Sequence, residues 1–231
     1  MRICLFSDIH GNGFSFRAAY PMIMSEGADV HLFLGDLCGY YFNQKEIFDL
    51  LLSIPNLFAI RGNHDQFFLN ISGGDEEFRK FYLNQYGPSM EYLLDEDAEE
   101  LTRWIADLPE FNIWRDLNLF ACHGSPWNYL EGYIYPDAVL DRFLEKPDSL
   151  YLLGHTHHRM VKKIGEKLIV NPGSLGQPRD GLLPSYAVID YFPLHISFRE
   201  VYYDQSALLR QIEERGVTNP CLTKHLLNNI E

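Results

Sequence analysis

Eight residues of this sequence carry side chains able to hold a cation or move a proton, and all eight stand in the same local setting. Asp8 and His10, Asp36, Asn63 and His64, His123, and His155 and His157 each follow directly on a short apolar run. Those runs are residues 2–6, 30–34, 56–60, 118–122 and 150–153, which read as strands. The third is read as a short buried strand that stops at Gly62 and then presents an amide oxygen, an imidazole and a carboxylate as Asn63-His64-Asp65. Asn, Gly and Asp are ordinary turn residues, so that stretch taken alone also fits a plain turn. Asp8-x-His10 taken alone is common by chance. The coincidence at five strand ends is what carries weight, and it takes in five of the nine histidines. In open α/β sheets ligands bind at the carboxyl ends of the strands, so the eight residues are expected to meet along one edge.

The residue types select the chemistry. Asp and His with one Asn amide, and no Cys among them, suit hard or borderline divalent cations: Mn²⁺ first, with iron, Ni²⁺ or Zn²⁺ as alternatives. Asp8, His10, Asp36, Asn63, His123, His155 and His157 are too many ligands for one ion and the right number for two that share a carboxylate. Two ions roughly 3.5–4 Å apart can hold a hydroxide and clamp a phosphoryl group. The overall charge agrees: 32 acidic residues against 19 basic give −13, which repels nucleic-acid duplexes and anionic membranes. A small phosphate ester would need positive charge supplied locally, and bound metal is the obvious source.

The elements that must position these residues follow from periodicity. Residues 2–6, 30–34 and 56–60 alternate with helical spacing at 14–25 and 44–53, a β-α-β-α-β order that favours an α/β fold with parallel pairing in its first half. Two helices are expected in a helical insertion at about 70–110, one near 76–85 and one near 96–107 capped by Asp95 or Asp97. Hairpins are expected for 111–114 with 118–122 and for 160–164 with 167–170, and late strands at 185–191 and 196–203. Pro136 opens an expected helix to residue 144 within a second insertion at about 126–149, and closing helices are read at 206–215 and about 222–229. The 231 residues suit a single domain. Cys4, Cys38, Cys122 and Cys221 show no pairing pattern and read as reduced thiols in a cytoplasmic protein. The amino terminus meets Ser7-Asp8 too soon for a signal peptide, and no run is long enough for a membrane span. A symmetric homo-oligomer is compatible with all of this.

Asp8-x-His10, Gly35-Asp36, Gly62-Asn63-His64-Asp65, His123-Gly124 and Gly154-His155-x-His157 resemble, in order and spacing, the motifs of the calcineurin-like metallophosphoesterases. The stretches Leu34 to Tyr40 and Asn171 to Gly181 look like the small bacterial and archaeal phosphodiesterase branch, extending the resemblance to about residue 190. The resemblance implies a four-layer αββα sandwich of two mixed sheets flanked by helices. It implies that Asp8, His10, Asp36 and His157 hold one ion and Asp36, Asn63, His123 and His155 the other, with Asp36 bridging. His64 would face the phosphate and either protonate the leaving oxygen or steady the transition state, while Asp65 orients the loop or caps a turn beside it. The activity implied is that of a phosphodiesterase with a metal-bridging hydroxide as nucleophile.

One departure bears on substrate. In the protein phosphatases of this superfamily the bridging Asp is followed by a second Asp and an Arg, whereas here Leu37-Cys38-Gly39-Tyr40 follow Asp36. That argues against a protein phosphatase and removes both a carboxylate partner for His64 and a phosphate-binding Arg. Asn63, His64 and Arg179 are then the candidate substrate contacts, with a structural salt bridge the plainer expectation for Arg179. Phe67, Phe68, Trp127, Tyr129, Tyr133 and Tyr135 could stack on a base or aryl group, against simple aromatic packing. Rival readings are a dinucleoside polyphosphate or other nucleotide hydrolase, a phosphomonoesterase, and a non-catalytic scaffold of the same fold.

Overall fold

The apolar runs build two five-stranded sheets. A computed structural model of the chain describes residues 1–226. In chain order the strands are β1 (Arg2–Phe6), β2 (Val30–Phe33), β3 (Leu57–Ala59), β4 (Phe111–Trp114), β5 (Leu119–Cys122), β6 (Leu150–Leu152), β7 (Arg159–Ile164), β8 (Lys167–Pro172), β9 (Ser185–Tyr191) and β10 (Leu194–Glu200). The first sheet runs β10-β9-β1-β2-β3 and the second β4-β5-β6-β8-β7. Parallel pairs β1·β2 and β2·β3 in the first, and β5·β6 and β6·β8 in the second, aim their carboxyl ends at a common region.

Strand alternation explains the layering. On β1, Ile3 and Leu5 point to the second sheet, where they join Leu32, Leu34, Leu119, Ala121, Leu150, Leu152 and Val170. Cys4 and Phe6 point the other way, toward helices α1 (Gly13–Ser25) and α2 (Gln44–Leu52). Each such Leu or Ile contributes about 1.5–3 kcal/mol by leaving water. The outer face of the second sheet is covered by the 126–145 segment, through Trp127, Tyr129, Ile134, Leu140 and Phe143.

Several expectations need correction. The run 56–60 is not a buried strand: β3 is the sheet edge, Phe58 is 45% exposed, Leu57 and Ala59 are half-buried against the helix-side core, and only Ile60 is fully buried. Both helices expected at about 70–110 are present, as α4 (Glu76–Tyr86) and α6 (Glu99–Asp107), but α5 (Ser89–Asp95) stands between them and α3 (Asn63–Ser72) precedes them, neither of them expected. The cap of α6 is Ala98, not Asp95 or Asp97. In place of a helix at 136–144 there is a single 3-10 turn, Asp141–Glu145. Phe143 alone of that turn is buried and Val139 is 84% exposed, so no apolar stripe exists to dock a longer helix. The last strand starts and ends earlier than read. A closing helix, α7 (Gln205–Glu214), is followed by a 3-10 turn, Pro220–Leu222, and the remainder of the expected helix, 227–229, lies outside the described residues. All four cysteines are unpaired. No helix among the described residues is long and apolar enough to cross a membrane.

Candidate metal centre

The strand-end residues gather at the place where the carboxyl ends of β1, β2 and β3 meet those of β5 and β6, so the site lies between two sheets rather than along the edge of one. The backbone there is tightly specified. Asp8, Ile9, His10 and Gly11 donate their N–H groups to the carbonyls of Gly35, Asp36, Asp36 and Leu37, at 2.9–3.0 Å, which zips the β1 and β2 loops together. Five candidate ligands hold left-handed φ: Asp8 (56°), His10 (51°), Asp36 (62°), His155 (66°) and His157 (59°). Such angles reverse the chain at once after the strand.

Gly62-Asn63-His64-Asp65 is the first turn of α3, with Gly62 at the N-cap. A side chain on Gly62 would collide with Asp36 Oδ1. Asp65, fully buried, accepts from the Asp36 and Gly62 N–H groups through Oδ2 at 2.8 and 3.0 Å, and from the Cys38 N–H through Oδ1 at 3.0 Å. Both its oxygens are therefore committed to backbone, and its position is that of a staple between the Asp36 loop and α3. Burial, then repulsion from Asp36, pushes its carboxyl up to about 6.

Each aspartate of the centre has one oxygen tied down and one without a partner. Asp8 Oδ2 accepts from the His155 N–H at 3.2 Å, and Asp36 Oδ1 from the His64 N–H at 2.8 Å. Among the described residues, Asp8 Oδ1 and Asp36 Oδ2, both buried, accept no hydrogen bond, and His155 Nε2 makes none. The histidines are oriented from behind. His10 Nδ1 donates to the Cys38 carbonyl at 2.9 Å, His123 Nδ1 to the Leu34 carbonyl at 2.7 Å, and His157 Nδ1 to the Gln177 carbonyl at 2.6 Å. A carbonyl only accepts, so each Nδ1 carries a proton and each Nε2 faces the centre. His10 Nε2 and His157 Nε2 lie 3.0 Å apart, and His123 Nε2 lies 3.0 Å from Asn63 Oδ1. Asp36 Oδ2 sits between His10 Nε2 at 3.5 Å and His123 Nε2 at 3.3 Å, reaching both halves of the centre. Asp8 Oδ1 lies 3.3 Å from His157 Nε2. Asp8, His10 and His157 form one buried group of converging ligand atoms and Asp36, His123 and His155 another; a third group joins His10 and Asp36 to His64.

Electrostatics points the same way. Burial, and after it the neighbouring cationic groups, holds His10, His64 and His157 well below the ordinary imidazole value and His155 down to about 2, while burial raises both Asp8 and Asp36. His123 is the exception: burial lowers it, but the carboxylates of Asp36 and Asp8 outweigh burial and raise it to about 9. In the protein without metal its proton is the one positive charge the centre gains. Facing lone pairs and unpartnered carboxylate oxygens in a dry site are stabilised by cations, so the donor set fits divalent metal.

Beside this centre a cavity of about 130 Å³ is lined by Asp36, Tyr40, Asn63, His64, Tyr86, Tyr133, His155, His157 and Arg179. Among the described residues Arg179 forms no salt bridge and its buried Nε has no partner: its Nη2 donates to Tyr40 Oη at 2.8 Å and Gln177 Oε1 at 3.1 Å, and the adjacent Asp180 pairs with Arg159 instead. Among the aromatic candidates, Phe68 is core, Trp127 packs on Phe143 and Tyr129 on Phe111. Tyr133 lies on the His155 ring at 4.2 Å and parallel to Tyr135, and both are exposed. Phe67 lies against His64. His31 is structural, bonded through Nδ1 to the Pro55 carbonyl at 2.8 Å, and His158, half-buried, bonds the Thr156 carbonyl. Sequence reasoning missed Tyr40, Tyr82 and Tyr86. Tyr40 stands four residues after Asp36 within the same loop, which was the available signal; Tyr82 and Tyr86 come from α4, with no local mark.

The model of the calcineurin-like phosphoesterase superfamily domain matches residues 1–192. An uncharacterised protein of Methanocaldococcus jannaschii is 31% identical over 227 residues, covering 87% of this chain and 88% of that protein. A metallophosphoesterase from Sphaerobacter thermophilus superposes with a TM-score of 0.80 at 24% identity, over 99% of this chain and 100% of that one. A structure described as a novel archaeal phosphodiesterase superposes with a TM-score of 0.55 at 18% identity, over 87% and 100% of the two chains.

Proposed function

The chain belongs to the calcineurin-like phosphoesterase superfamily, and from that membership we propose that it is a dinuclear metal-dependent phosphodiesterase acting on a small phosphate ester. The observation that carries the reading is the pair of facing imidazole nitrogens, His10 Nε2 and His157 Nε2 at 3.0 Å, with the unpartnered Asp8 Oδ1 and Asp36 Oδ2 beside them. Asp8, His10, Asp36 and His157 would hold one divalent ion and Asp36, Asn63, His123 and His155 the other, with Asp36 shared. Bound there, two ions supply Lewis acidity toward the phosphoryl oxygens and make water nucleophilic near neutral pH. Mn²⁺ is the favoured metal on ligand type, and the four unpaired cysteines favour a reducing, cytoplasmic setting.

The chain's own residues then have separable tasks. Cys38, Leu34 and Gln177 carbonyls hold three imidazoles in the tautomer that turns Nε2 inward. Asp65 fixes the loop that carries Asp36. His64 lines the cavity and meets the oxygens on which charge develops. Arg179 is the sole Lys or Arg lining the cavity among the described residues, and its buried Nε lacks a partner. One fixed cation matches the single charge of a diester better than the double charge of a monoester, which favours the diester. The exposed Tyr133 and Tyr135 give the esterifying group an aromatic surface beside His155.

The test is hydrolysis of bis-p-nitrophenyl phosphate beside p-nitrophenyl phosphate, after stripping metal and restoring Mn²⁺, Ni²⁺ or Zn²⁺ singly. Metal-restored cleavage of the diester over the monoester is expected. Protein that binds two ions and cleaves neither ester with any metal would sink the reading and leave the scaffold alternative as the better account.

A further inference from the structure

His64 has an unusual neighbour behind it. Its ring is enclosed by those of His10, Tyr40, Tyr86 and Phe67, at centroid distances of 4.8, 5.0, 5.0 and 5.2 Å. Its Nδ1 lies 3.1 Å from the hydroxyl of Tyr82, a residue of α4 that is 1% exposed. The carboxylates near it are otherwise engaged: Asp65 holds three backbone amides and Asp36 Oδ1 holds the His64 N–H. No carboxylate pairs with the His64 ring among the described residues, although three other histidines of the centre have such neighbours.

A phenol is a stronger hydrogen-bond donor than a neutral imidazole N–H, and an imidazole nitrogen is a better acceptor than a phenol oxygen. The bond therefore runs from Tyr82 Oη–H to His64 Nδ1. With Nδ1 accepting, the proton of the neutral ring sits on Nε2. This arrangement is the reverse of His10, His123 and His157, whose Nδ1 atoms donate to carbonyls.

We propose that Tyr82 is a positioning residue that fixes His64 as the Nε2–H tautomer, making it a neutral hydrogen-bond donor toward the cavity. The inference rests on the phosphoesterase reading for what that donor meets, namely a phosphoryl or departing oxygen. His64 keeps its proton throughout. A hydroxide oxygen forms the new bond to phosphorus as the phosphorus–oxygen bond to the leaving group breaks; the electron pair departs with the leaving oxygen, which takes its proton from water and so regenerates hydroxide. Proton donation by the ring would need the Tyr82 proton in return, leaving a phenolate where burial already holds the phenol well above its ordinary value. Good leaving groups, aryl over alkyl, are thus favoured.

The tautomer is read directly by two-bond proton–nitrogen correlation spectra of zinc-loaded protein with isotopically labelled histidine. At about pH 8.5 an imidazole is neutral, and the His64 signals are assigned by their loss in His64→Gln. Parent protein is expected to carry the proton on Nε2, and Tyr82→Phe to lose that single-tautomer pattern, with kcat for the aryl diester down about tenfold and KM within about twofold. A proton on Nδ1 in the parent overturns the proposal, as does a Tyr82→Phe protein with an unchanged pattern. The spectra need no turnover, so a protein that hydrolyses nothing yet shows the Nε2–H pattern and loses it on substitution refutes the phosphoesterase reading while the Tyr82 assignment stands.

Discussion

Removing Asp65 should loosen the centre without touching a metal ligand. The carboxylate accepts from three buried N–H groups, those of Asp36 at 2.8 Å and of Cys38 and Gly62 at 3.0 Å each. Asp65→Ala leaves all three without an acceptor, at about 1–3 kcal/mol for each donor. Loss of the repulsion between Asp65 and Asp36 offsets part of this, so a net destabilisation of about 2–5 kcal/mol is expected. For a chain of this size that lowers Tm by roughly 5–15 °C. Asp65→Asn keeps one acceptor oxygen and turns the other into a donor, so it recovers only part of the loss. The assay is thermal unfolding of metal-stripped protein followed by circular dichroism, with metal content of the reloaded protein measured by mass spectrometry. Both variants should also retain less metal, because the loop that Asp65 holds carries Asp36. An Asp65→Ala protein with Tm within about 2 °C of the parent and a full metal complement would refute the stapling argument.

The pH response of stability should change sign with metal. His123 stands at about 9 in the metal-free protein, above the unfolded value near 6.5, so its stabilisation is complete below about 6.5 and is lost as pH rises through 9, on the order of 3 kcal/mol. Below about 6.5 the depressed imidazoles of His10, His64, His155 and His157 bind protons only on unfolding, while the raised carboxyls of Asp8, Asp36 and Asp65 bind them in the folded state; with four imidazoles against three carboxyls the net change is a loss, so metal-free stability should peak near pH 6.5 in urea titrations. Metal loading must expel the His123 proton, so calorimetry near pH 7.5 in buffers of differing ionisation enthalpy should show about one proton released at this residue, with affinity weakening as pH falls. His64→Ala should lower turnover about 10²-fold with metal content unchanged, whereas Asp36→Asn should lose metal. Asp36→Asn retaining both ions at full rate would defeat the bridging assignment.

The ligand set was legible in the sequence because its chemistry is local: each residue follows an apolar run, and a strand end is visible from composition alone. What surrounds the ligands was less so. The first turn of α3 was hidden because Gly62-Asn63-His64-Asp65 has the composition of a turn, although Asp65 at the third helical position is a capping signal. Phe58 looked like core because an edge strand and a buried one share the same residues, and only pairing distinguishes them. Tyr82 and Arg179 reach the centre from α4 and from the loop after β8. Contacts at such sequence separation leave no periodic trace. The expected helix at 136–144 had a favourable start but no apolar face to dock it.

The left-handed backbone at Asp8, His10, Asp36, His155 and His157 has an evolutionary reading. Such a conformation costs an ordinary side chain roughly 1 kcal/mol or more, and among residues other than glycine it is tolerated best by Asn, Asp and His. The residues that can ligate the ions are thus also those that can make the turn. A descendant copy released from catalysis would no longer need ligands there. In such a copy glycine would relieve the backbone at each position, but at Asp8 and Asp36 it would also leave the His155 and His64 N–H groups without their acceptors, so drift to glycine should begin at His10, His155 and His157 and reach the two aspartates last.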